Sequence, residues 1–72
     1  MQDYKYIYIN GLLLEILGET RKDLRVKYIL LKNGNMFEKR NYTCTLDKQA
    51  FSKLIQKSSK YNSIEEFKIE VL

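Results

Sequence analysis

The chain has 72 residues and a net charge of +4, with 13 Lys and Arg against 9 Asp and Glu, one cysteine, and no His, Pro or Trp. This length predicts a single domain over 1–72 whose core is too small to leave a wide stability margin. The composition excludes an internal disulfide, a Cys/His metal centre and any mechanism that needs a histidine base, and no apolar run is long enough to cross a bilayer.

Residues 4–17 read as a β-hairpin. Two apolar runs flank Asn10-Gly11, and Asn-Gly is the dipeptide that best accepts the two positive φ angles of a type I′ turn. A two-residue loop pairs Ile9 with Leu12, Tyr8 with Leu13, Ile7 with Leu14, Tyr6 with Glu15 and Tyr4 with Leu17. Alternation then gives an aliphatic face of Ile7, Ile9, Leu12, Leu14 and Ile16, which is core. The other face carries Tyr4, Tyr6, Tyr8, Leu13, Glu15 and Leu17. It is either covered by another element or a contact surface, since tyrosine combines rigid area with a polar tip. A helix over 12–17, capped by Asn10 and stopped by Gly18, competes with the hairpin but is short for a stable helix.

Residues 18–23 form a polar connection with Arg21 and Lys22 at its tip. Residues 24–32 predict a strand, with Leu24, Val26, Tyr28 and Leu30 on one parity. Asn33-Gly34-Asn35 is the second turn signal. A two-residue loop sets Leu30 opposite Phe37. A three-residue loop, which groups the apolar residues better, sets Leu31 opposite Phe37, Val26 opposite Tyr42 and Leu24 opposite Cys44. Residues 36–46 are the partner strand, and Glu38-Lys39-Arg40-Asn41 is polar enough to be exposed, edge-like or bulged.

Residues 47–61 read as a helix. Asp47 is a good N-cap, and Leu46 can staple to Phe51. Ala50, Phe51, Leu54, Ile55, Ser58 and Tyr61 recur at helical spacing, with Lys53, Lys57 and Lys60 in a row beside them. Ser63-Ile64-Glu65-Glu66 resembles a capping box, yet Phe67-Lys68-Ile69-Glu70-Val71 alternates as a strand does. The expectation is a turn at 63–66 and a strand at 67–71, with a helix over 64–72 as the alternative. The fold class is α+β in the order ββββαβ: a small antiparallel sheet of two hairpins plus a C-terminal strand, with one helix packed on one face. Ile7, Ile9, Leu12, Leu14, Ile16, Val26, Leu30, Phe51, Leu54, Ile55, Phe67, Ile69 and Val71 form most of the expected core.

Catalysis finds no support in these residues. There is no Gly-rich phosphate loop, and Asp3, Asp23 and Asp47 are scattered. Cys44 lies in an apolar strand, where a thiol is inert rather than nucleophilic. Glu65, Glu66 and Glu70 give only slight support for a divalent-ion site, so no metal, cofactor or catalytic residue is assigned. The single cysteine and the lack of a signal segment predict a reducing, cytoplasmic setting with no membrane partner. A composition rich in Lys, Ile, Tyr and Asn is common among short phage, plasmid and low-GC bacterial proteins.

Charge is segregated along the chain. Residues 1–20 sum to −2, residues 21–62 to +8 and residues 63–72 to −2. Two binding expectations follow. In the first, Tyr4, Tyr6, Tyr8, Leu13 and Leu17 contact a larger protein, as in accessory modulators or inhibitors of host machinery. In the second, Arg21, Lys22, Arg25, Lys27, Lys39, Arg40, Lys53, Lys57 and Lys60 contact nucleic-acid phosphates. The tyrosines lie apart from the bases and no RNP-like or helix-turn-helix signature is present, which ranks protein contact first. Leu13 and Leu17 buried against a second copy would make a homodimer.

Overall fold

A computed structural model describes residues 4–71; Asp3, counted above among the N-terminal acids, lies outside the described residues. The elements in chain order are β1 (Tyr6–Ile9), β2 (Leu12–Glu19), β3 (Asp23–Asn33), β4 (Met36–Asp47), α1 (Ser52–Lys57), β5 (Ser59–Tyr61) and α2 (Ile64–Val71). The strands form one antiparallel sheet in the order β4-β3-β2-β1-β5. The α+β class and the antiparallel sheet match the sequence expectation. The order ββββαβα, with two helices, corrects the expected ββββαβ.

The first hairpin has the expected register, with Tyr6 opposite Glu15, Ile7 opposite Leu14, Tyr8 opposite Leu13 and Ile9 opposite Leu12. Asn10 and Gly11 both take positive φ, 50° and 80°, the pair that a type I′ turn requires. The second hairpin takes neither expected register. Its loop is Gly34-Asn35, closed by Asn33 opposite Met36, and only Gly34 has positive φ, as a type II′ turn needs. Toward its base, Tyr28 faces Tyr42, Val26 faces Cys44 and Leu24 faces Leu46. The offset arises at a bulge, where Arg40 and Asn41 together stand against Ile29. Against β2, Ile29 is the extra residue between the Leu14–Tyr28 and Leu13–Leu30 pairs, and this bulge turns Leu30 away from Val26 to the other face.

A hydrophobic cluster lies on each side of the sheet. On one side Ile7, Leu14, Leu24, Val26 and Leu46 are buried, with Ile55 of α1 and Tyr4 packed against them. On the other, Leu13, Tyr61 and Phe67 are buried, with Tyr6, Tyr8, Leu30 and Phe37 around them. Ile7, Leu13, Val26 and Phe67 are each 0% exposed.

The single helix expected over 47–61 is a turn, a six-residue helix and a strand. Asp47 Oδ1 accepts the backbone N–H groups of Gln49 (2.9 Å) and Ala50 (3.3 Å), so it caps a turn rather than the helix itself. The helix stops at Lys57 because Ser58 turns extended and its hydroxyl donates to the Ile55 carbonyl at 2.7 Å. Residues 59–61 then close the open edge of β1, with the Lys5 N–H donating to the Tyr61 carbonyl at 3.0 Å. Pairing that edge satisfies backbone groups and buries Tyr61, which outweighs continuing a polar run rich in serine as helix. Phe51 and Leu54, expected in the core, are exposed.

The C-terminal segment is helix, not strand. Ser63 caps its start as expected, the Glu66 N–H donating to Ser63 Oγ (3.3 Å), while Glu66 Oε2 reaches one residue further back and accepts the Asn62 N–H (2.8 Å). Helical spacing puts Phe67 inward and leaves Ile69, expected in the core, 86% exposed.

Candidate interaction surfaces

Cross-strand partners share a face, so the pairing can be followed outward row by row. One row runs Tyr61, Tyr6, Glu15, Lys27, Thr43, and the next runs Ser59, Tyr8, Leu13, Leu30, Lys39. Their inner ends lie under α2, where Phe67 inserts between Tyr8 and Tyr61, with ring centroids 5.3 and 5.6 Å away. Phe37 closes the cluster at 5.6 Å from Phe67. Tyr6 and Tyr8 are therefore half-buried and Leu13 is fully buried.

The other two members of the expected tyrosine surface stand apart. Tyr4 precedes β1 and packs on the α1 side, where Lys60 Nζ lies 5.6 Å from its ring centroid. Leu17 is the extra residue of a bulge between Ile16 and Gly18 and is 44% exposed. The five residues do not form one surface. The aromatic run is legible in the sequence; the helix that covers it carries the alternation of a strand.

On the α1 side the row is Ile7, Leu14, Tyr28, Tyr42. It begins at 0% and 3% exposure beneath α1 and ends at Tyr42, 60% exposed. A second row, Ile9, Leu12, Leu31, Glu38, is half-buried throughout. α1 spans only six residues and contacts β1, so among the described residues no element covers the β3–β4 half of this face beyond the base of the strands. Tyr28 and Tyr42 meet edge to face at 5.4 Å. A side-chain hydrogen bond with Cys44, followed by burial, raises the Tyr28 phenol above its ordinary range. At the rim, Glu38 accepts from Asn33 Nδ2 (2.9 Å) and pairs with Arg40 (3.0 Å). These contacts, Asn33 first, hold the Glu38 carboxyl below the ordinary carboxylate range. Sequence reasoning missed this surface, although the shared parity of Tyr42, Cys44 and Leu46 carried the signal. Only the true register brings Tyr42 beside Tyr28.

The basic residues are split among several places. By register, Arg25, Lys27 and Lys39 lie on the α2 side of β3 and β4, beyond the helix. Arg21 and Lys22 sit in the exposed loop between β2 and β3, and Arg40 points to the opposite face with Glu38. Lys53 and Lys57 are on α1, whereas Lys60 is on β5, so the expected row of three lysines is broken. Lys48 pairs with Glu19, and Lys5 with Glu15 at 3.6 Å.

Among the described residues no group of three or more His, Cys, Asp or Glu gathers as metal ligands, and no helix is long and apolar enough to cross a membrane. Comparison with protein-family models, curated proteins and solved structures found no match.

Proposed function

We propose that this chain is a non-enzymatic binding protein that acts by docking the uncovered half of its α1-side face on a larger protein. The observation that carries this reading is the row Ile7, Leu14, Tyr28, Tyr42, which runs from full burial to a largely exposed tyrosine without leaving the apolar face. Tyr28 packs on the buried cluster and Tyr42 on Tyr28, so this exposure adjoins the core, unlike the single exposed side chains of Leu17 and Ile69. Tyr28, Tyr42, Met36 and Arg40 are also the residue types enriched in protein interfaces. The half-buried Tyr6 and Tyr8 serve the fold in this reading, and the surface moves to the second tyrosine pair. The lone cysteine fits a reducing cytoplasm, where such a modulator would meet its target.

Capture with tagged wild-type chain and with Tyr42→Glu tests the proposal, both proteins first being shown to be folded by circular dichroism. A discrete protein held by the wild type and lost with Tyr42→Glu supports it. A protein held equally by both overturns it. If the captured protein is a second copy of the chain, the surface is a dimer interface and the reading as a modulator of a larger protein fails.

A further inference from the structure

We infer that the opposite face of the same strand pair, outside α2, is a docking surface for a phosphodiester backbone. Lys27 stands opposite Thr43, and Arg25 opposite Thr45, so two rows each set a cation beside a hydroxyl. Residues two apart on a strand are separated by about 6.8 Å. That is the order of the separation between successive phosphates of an extended nucleic-acid strand. Lys39 continues the surface beyond the Arg40-Asn41 bulge, and the exposed Arg21 and Lys22 extend it past the base of β3.

The acids on this face stand at its margins, on β2 and at the base of the strand pair. Glu15, in the Lys27 row, pairs with Lys5, and Asp47 accepts two backbone N–H groups of the following turn. Asp23, opposite Asp47, marks the base of the surface. Glu65, Glu66 and Glu70 lie on α2, and their charge disfavours a polyanion over the helix itself. Hydroxyls and long cations on a sheet face contact phosphate without reading bases, so binding is sequence-tolerant and salt-dependent. This surface is independent of the proposed protein-docking face.

Fluorescence polarisation with labelled mixed-sequence single-stranded DNA and RNA, over a series of salt concentrations, tests it. The wild-type chain is compared with Arg25→Gln/Lys39→Gln and with Lys53→Gln/Lys57→Gln, which removes the same charge from α1. All four positions are exposed, and Lys39→Gln alone serves as a milder variant. The inference expects the first double variant to bind about tenfold more weakly and to lower the slope of log affinity against log salt by about 1.4. The α1 variant binds as the wild type does. No wild-type binding at low salt overturns the inference, as does equal weakening by both double variants. Polyglutamate bound as tightly as the nucleic acids overturns the phosphodiester assignment and points to an acidic protein instead.

Discussion

The Phe67 ring of α2 lies 5.3 Å from the Tyr8 ring of β1, centroid to centroid, with the planes tilted by 60°. This contact decides which tyrosines belong to the core. It closes Tyr6, Tyr8 and Leu13 under a helix and leaves Tyr28 and Tyr42 as the aromatic pair on open sheet.

Phe67→Ala removes a fully buried ring and is expected to cost about 3–5 kcal/mol. Ile69→Ala, two residues along the same helix, changes stability by less than about 0.5 kcal/mol because its side chain faces solvent. Urea denaturation of both variants checks the pair. Equal losses would mean that the segment packs as the alternating strand its sequence suggests.

The first turn makes a second prediction. Gly11 has φ of +80°, and a Cβ there would meet Lys32 Cβ at 3.4 Å. Gly11→Ala is expected to cost about 1–2 kcal/mol, mainly from the left-handed backbone. Gly18→Ala, with open space around the new methyl group, serves as the matched control. Denaturation midpoints that fall equally for both would contradict the type I′ turn.

Glu38 supplies a pH dependence. Its carboxyl is held low by hydrogen bonds from Asn33 and Arg40 and by the Arg40 charge. A carboxyl whose folded pKa lies below its unfolded one adds stability above the unfolded pKa and loses it as pH falls through the folded pKa. An NMR titration of Glu38 should therefore show its midpoint moving up toward the ordinary range in Asn33→Ala. An unchanged midpoint would mean that Asn33 does not hold this carboxylate across the second hairpin.

The first hairpin was legible because Asn10-Gly11 demands two positive φ angles and so fixes the four pairs from Ile9–Leu12 to Tyr6–Glu15, whereas the expected Tyr4–Leu17 pair is lost to the Leu17 bulge and to Tyr4 lying outside β1. Asn33-Gly34-Asn35 offers more than one two-residue loop, and the Arg40-Asn41 bulge shifts the pairing again, so local chemistry could not choose the register. Residues 47–61 carry a helical pattern, but a turn at one end and β1's free edge at the other compete for them. At the C-terminus, Phe67 and Val71 fit either an alternating strand or a helical face. Ile64 and the Ser63–Glu66 cap decide for helix, and reading them together with Phe67 and Val71 gives helical spacing. The candidate surface depended on those same two elements. The tyrosine stripe could be read, but not its cover, and the open Tyr28–Tyr42 pair appears only in the correct register.

The measurement that tests the docking proposal most directly places a photo-cross-linking amino acid at Tyr42, at Tyr8 and at Arg25 in turn, in cells that express the chain. The account predicts a discrete adduct with a larger protein from position 42 and none from position 8, whose side chain is packed against Phe67. Protein adducts from position 25 alone, or equally from all three positions, would contradict it.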